Sequence, residues 1–140
     1  MRKRQLGHVL SDGTVVVDSS EEGKVRLVLN NASITNAKGA AINVIAADEA
    51  VVVLAAGTTN RLADGTGYDT SAADAPNAAL FSMADLTIAG TGSLDVVGNT
   101  NDGIGVKDGL VILAGTITVT AADDGIRGKD YLVIADGTVS

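Results

Sequence analysis

The chain has 140 residues, a formal charge of −7, 17 glycines, one proline and no cysteine. Zero cysteine excludes a disulfide scaffold and thiolate chemistry, and a lone histidine, His8, excludes paired-histidine zinc sites. The acidic balance has the wrong sign for binding nucleic acid through counterion release, although it suits divalent cations. No apolar run approaches the roughly 18 residues of a membrane span, which argues against membrane insertion. The start, MRKRQLGHVLSDG, is basic like the first part of a signal peptide, yet no apolar stretch follows it. Residues 1–11 therefore read as a flexible basic tail, with Arg2, Lys3 and Arg4 solvated and His8 exposed or fraying.

From Val25 onward the chain is a series of short strands. VRLVLNNASITNAKGAAINVIAAD supplies Leu27, Leu29, Ile34, Ile42 and Val44, and AVVVLAAGTTNRL supplies Val52, Leu54 and Leu62. Apolar residues alternate with period 2, β-branched residues are frequent, and Gly, Asn and Asp punctuate. The alanine-rich stretch 40–56 has helical propensity, but Ile42, Val44, Val51, Val52 and Val53 favour strand. Residues 57–77 break the pattern and read as a long excursion between two coils, with Asp64, Tyr68, Asp69, Asp74 and Pro76.

The last third repeats openly. LTIAGTGSLDVVGNTNDGIGVKDG from Leu86, LVILAGTITVTAADDGIRGKD from Leu110 and LVIADGTVS from Leu132 align with a period of 22 to 24 residues. Leu86, Leu110 and Leu132 open equivalent strands, Leu94, Ile117 and Val139 the next, and Ile104 and Ile126 the third. Several short strands per period without a crossover helix predict an all-β solenoid, a parallel β-helix of about five coils. A β-sandwich would need hairpin turns and would not repeat in register. The whole of 1–140 then forms one domain.

Stacking turns residues two dozen apart into neighbours. Aligning Ile42, Leu80, Ile104 and Ile126 places Asp102 below Asp124, with Asp123 beside them and Asn77 and Asn101 in the adjacent column. Two carboxylates about 4.8 Å apart repel by about 3 kcal/mol at an effective dielectric of 20. Asn77, Asn101, Asp102, Asp123 and Asp124 are therefore candidate oxygen ligands for calcium. The alternative is that the side chains splay apart, with Asn77 and Asn101 in an amide ladder and the aspartates capping turns. Lys107 and Lys129 form a column beside Asp85, Asp108 and Asp130, which reads either as surface charge compensation or, with Arg127, as a patch facing an anionic ligand. Tyr68 and Asp69 are ligand candidates in the excursion.

DDGIRGKD (Asp123–Asp130), NDGIGVKD (Asn101–Asp108) and PNAALFSMADLTIAGTGSLDV (Pro76–Val96) resemble the bacterial carbohydrate-binding domain-containing β-helix family. LVLNNASITNAKGAAINV and VVVLAAGTTNRLADG fit the same order, so the likeness runs from about Asp12 to the end. The resemblance implies a right-handed parallel β-helix shaped like a pectate lyase, an extracellular or cell-surface location, bound calcium, and plant-type polysaccharide such as pectic acid or cellulose as partner. It implies a binder rather than an established catalyst. Were the chain a calcium-dependent polysaccharide lyase, Arg127, Lys107 and Lys129 would be the catalytic candidates. A third reading is a structural rod, filament subunit or adhesin segment. The chain ends at GTVS partway through a coil, and two outcomes fit: a fragment, or end-to-end association through the open final coil.

Overall fold

The computed structural model describes residues 2–6, 9–10, 12–20 and 22–140, and side chains from Asp12 onward. His8 lies outside them. The chain winds through successive three-strand coils. The first has β1 (Arg2–Leu6), β2 (Val9–Leu10) and β3 (Val15–Asp18), and the second has β4 (Lys24–Leu29), β5 (Ser33–Thr35) and β6 (Ile42–Ala46). The third has β7 (Glu49–Leu54), β8 (Thr59–Ala63) and β9 (Ala78–Ser82), and the fourth has β10 (Asp85–Ala89), β11 (Ser93–Gly98) and β12 (Asp102–Val106). The fifth has β13 (Gly109–Ile112), β14 (Thr116–Ala121) and β15 (Ile126–Gly128), and β16 (Tyr131–Ile134) and β17 (Thr138–Val139) begin a sixth. No helix occurs among the described residues.

Equivalent strands of successive coils pair in parallel, giving two six-stranded sheets and one five-stranded sheet. The register is the one predicted from the repeats. Leu86 pairs with Leu110 and Leu110 with Leu132; Leu94 pairs with Ile117 and Ile117 with Val139. Ile42, Leu80, Ile104 and Ile126 form one column of the third sheet. Period 2 is the cause. In β4, Val25, Leu27 and Leu29 are buried while Lys24 is exposed, and a one-residue slip would turn every apolar side chain outward. The column Leu27, Val52, Ile88 and Ile112 is sealed, whereas Ile134, next in register, is 49% exposed, with no further strand paired beyond it among the described residues.

Two boundaries differ from the sequence expectation. Arg2–Leu6 is not a tail: its backbone pairs residue by residue with Val25–Leu29. A parallel ladder is held by backbone groups, so a polar strand joins it as well as an apolar one. The excursion is shorter than 57–77, because Thr59–Ala63 is an ordinary strand, with Leu62 between Ile34 and Val96. Asn60 hid it. This residue stands in register with Leu94 and is buried. Its Oδ1 accepts the Ala32 N–H at 2.8 Å, and its Nδ2 donates to Thr58 Oγ1 and the Ser93 carbonyl. A polar residue with its bonds filled can occupy an interior column.

The excursion is thus residues 64–77, between β8 and β9. Asp64, almost fully buried, anchors its base by accepting the Asn99 N–H and, at 2.7 Å, the Tyr68 hydroxyl. Thr100 Oγ1 donates to the Gly65 carbonyl and accepts the Gly67 N–H. Gly65 is obligatory here, since a Cβ would lie 2.0 Å from the Ala37 carbonyl oxygen.

Candidate cation and anion site on the third sheet

The outer surface of the third sheet changes character along the solenoid. At β9 two inward residues, Ala79 and Leu80, are bracketed by Ala78 and Phe81, which pack with Ala40 in a separate apolar cluster. Phe81 is fully buried there, so it is not available as a sugar platform. One coil on, the same columns hold Asp102 and Gly105, and in the fifth coil Asp124 and Arg127. Three coils meet at this place: Asn77 comes from the third, Asp102, Gly105 and Lys107 from the fourth, and Asp123, Asp124, Arg127 and Lys129 from the fifth.

Asp102 is the centre. It is fully buried, its Oδ1 accepts the Asp124 N–H at 3.1 Å, and its Oδ2 accepts no hydrogen bond. Its carboxyl is pushed above the ordinary aspartate value, chiefly by burial; the Asp124 amide and the Arg127 charge pull the other way. Oxygens of Asp102, Asp123 and Asp124 lie within 4.8 Å of one another, the arrangement expected from stacking. Arg127 faces all three. Its Nε donates to Asp124 Oδ2 at 2.9 Å and lies 3.5 Å from Asp102 Oδ2, and its Nη2 contacts Asp124 Oδ2 and lies 3.9 Å from Asp123 Oδ2. These carboxylates raise the Arg127 pKa, the hydrogen bond to Asp124 first.

Beside the triad is a pocket of about 250 Å³ lined by Asn77, Asp102, Gly105, Lys107, Arg127 and Lys129, among others. Gly105 leaves part of it open. A Cβ there would meet Asn77 Oδ1 at 3.4 Å and Asp102 Oδ2 at 3.8 Å, so both oxygens border the same space. The donors are hard oxygens, one of them buried and without a hydrogen bond, which is a set that fits a calcium-like ion. Asp102, Asp123, Asp124 and Asn77 would hold it.

The other sequence candidates are placed less centrally. Asn101 gives its backbone carbonyl to the Asp123 N–H at 2.9 Å, and its side chain does not line the pocket. Asp69 is exposed, and hydrogen bonds from the Ser71 hydroxyl first and then the Ser71 N–H lower its pKa. Tyr68 is half-buried and tied to Asp64; burial first, then the Asp64 hydrogen bond and the Asp64 and Asp102 charges, hold its hydroxyl well above the usual tyrosine pKa. Lys107 and Lys129 directly precede Asp108 and Asp130 in the chain and make no ion pair among the described residues. Asp108 and Asp130 stand in register, and Asp108 is raised by its hydrogen bond with Asp130; Asp85 is offset by one residue, aligned with Gly109, whose N–H it accepts. Gly105 and Asp64 were not among the sequence candidates. The repeat alignment carried a signal for Gly105, which stands against Arg127 in NDGIGVKD and DDGIRGKD.

Comparison with known proteins agrees with this architecture. The model of the carbohydrate-binding domain-containing protein family matches residues 5–140. A carbohydrate-binding domain-containing protein of Acetivibrio thermocellus is 40% identical over 113 residues, covering 79% of this chain and 40% of the relative. The chain therefore spans about two-fifths of that relative's length. A solved structure of a polysaccharide lyase-like protein from C. thermocellum, a gadolinium derivative, superposes with a TM-score of 0.84 at 30% identity. That likeness covers 99% of this chain and 69% of the other.

Proposed function

The chain belongs to the carbohydrate-binding domain-containing protein family, and from that premise we propose that it is a calcium-assisted polysaccharide-binding module for plant cell-wall-type glycans, pectic acid or cellulose. One observation carries the reading: the buried, unbonded Asp102 Oδ2 borders the same open space as Asn77 Oδ1, with Asp123 and Asp124 converging from the next coil. Asp102, Asp123, Asp124 and Asn77 would hold the cation, which would offset most of the carboxylate charge and could bridge to a uronate carboxylate. The protein's own residues then set the selectivity. Lys107, Lys129 and Arg127 line the pocket and attract an anionic sugar, and Gly105 leaves room for it. Crystalline cellulose would call for a flat aromatic strip, and with Phe81 buried only Tyr68 and Tyr131 are left; pectic acid is accordingly the better fit. Binding a wall polymer places the protein outside the cell.

The test is retention on immobilised polygalacturonate and on cellulose, with millimolar Ca²⁺ and then with excess chelator. The expected result is retention on polygalacturonate in Ca²⁺, lost with chelator and lost in Asp102→Asn. Retention unchanged by excess chelator would overturn the calcium role.

A further inference from the structure

Asp102 Oδ1 accepts the Asp124 N–H, and Oδ2 is the oxygen left without a hydrogen bond. The remaining oxygen, Oδ2, lies 3.5 Å from Arg127 Nε, and Asp124 Oδ2 receives two guanidinium nitrogens. Arg127 thus sits on the same atoms a cation would need. A divalent cation bonded at 2.3–2.6 Å to these oxygens would repel the guanidinium beside it, so the two positive groups compete for the same carboxylates.

We propose that Arg127 is a built-in competitor for the cation, and that its guanidinium, once displaced from the carboxylates, joins Lys107 and Lys129 as a receptor for the carboxylate of an acidic sugar. The proposal rests on the cation reading above and adds an order of events to it. With Arg127 on the triad, three carboxylates face three cationic side chains and the patch is formally neutral. It has little attraction for an anion, and the overall charge of −7 repels one. Arg127 is half-exposed and on the short strand β15, so its side chain is free to turn toward the pocket it already lines. With a divalent ion on the carboxylates and Arg127 in the pocket, the same patch becomes positive. Lys107 and Lys129, without ion pairs among the described residues, are then joined by a guanidinium whose planar fork suits a carboxylate. Cation and acidic sugar must therefore help each other bind, by reciprocity of linkage.

The competition makes a prediction opposite to that for an ordinary binding residue: removing Arg127 tightens cation binding and weakens its coupling to the acidic sugar. Ca²⁺ is titrated calorimetrically into the full chain and into Arg127→Gln, each with and without a short oligogalacturonate. The expected result is Ca²⁺ binding tightened tenfold or more in Arg127→Gln. In the native chain the oligogalacturonate strengthens Ca²⁺ binding several-fold, and in the variant this effect is smaller. Arg127→Lys, which keeps a charge but loses the fork, should lie between the two, and circular dichroism checks that each variant is folded. Ca²⁺ affinity unchanged or weakened in folded Arg127→Gln would overturn the competition. Absence of Ca²⁺ binding in both the native chain and Arg127→Gln would overturn the cation reading as well, whereas binding in the native chain with no gain in the variant would overturn the competition alone.

Discussion

Replacing Gly105 by alanine tests the site without touching a charge. The new methyl would sit 3.1 Å from Ala78 Cβ, 3.4 Å from Asn77 Oδ1 and 3.8 Å from Asp102 Oδ2. The contact with Ala78 is tight, so the strands must yield by a few tenths of an ångström, at a cost of about 1 kcal/mol. Removing a glycine also restricts the unfolded chain, which returns about 0.4–1 kcal/mol. The two effects nearly offset, and the melting temperature should move by no more than about 3 °C in a chain of this length. The space in front of Asn77 and Asp102 shrinks far more in relative terms, since an ion bound to both oxygens needs the volume the methyl takes. Ca²⁺ affinity should fall at least tenfold, about 1.4 kcal/mol. Scanning calorimetry in chelator gives the first quantity and isothermal titration the second. A variant that melts like the native chain and still binds Ca²⁺ with native affinity would show that the ion does not use the space over Gly105.

Two further outcomes follow from the buried carboxylates. Asp64→Ala removes the acceptor of the Asn99 amide and the Tyr68 hydroxyl and should cost about 1–3 kcal/mol; chymotryptic cleavage at Tyr68 should accelerate, and an unchanged cleavage rate would mean that Asp64 does not hold the excursion. Asp102 has a folded pKa raised above the unfolded value near 3.8, so its contribution to stability is present below that value and lost as pH rises through the folded pKa. In chelator, the stability difference between Asp102→Asn and the native chain should therefore grow in favour of the variant as pH rises from about 4 toward neutrality. A difference independent of pH would refute burial as the main influence on Asp102.

The register was legible because apolar columns recur. Leu86, Leu110 and Leu132 carry the period, and β-branched residues mark each strand between glycines. Stacking alone then brought Asp102 to Asp124. The pieces that escaped share a cause: their roles depend on neighbours rather than on residue type. RKRQL has no apolar alternation, and its pairing with β4 runs through the backbone. Asn60 looks like a loop residue until its amide is seen to satisfy Ala32, Thr58 and Ser93. Gly105 matters for what it leaves open, and Asn101 was assigned a side-chain role that its backbone carbonyl fills instead. Arg127 was identified as a charge near the aspartates, but not as the group lying on the atoms a cation would use.

The site draws its groups from three consecutive coils, and this links recognition to the stability of the solenoid. Each coil is held to the next by ladder hydrogen bonds and a shared apolar column, so coils add stability by nearest-neighbour contact. A cation joining Asn77, Asp102 and the Asp123–Asp124 turn would tie the third, fourth and fifth coils at one point. Bound at a hundred times its dissociation constant, it would add about 2.7 kcal/mol. That gain would fall on the fifth coil in particular, where Ile126 is only partly buried. The same dependence runs in reverse. The carboxylates converge only while the columns beneath them keep register, because a one-residue slip at Ile104 or Ile126 would carry Asp102 and Asp124 out of line. The apolar interior therefore sets the spacing of the ligand groups outside it, and the polar residues of the site are free to differ from coil to coil.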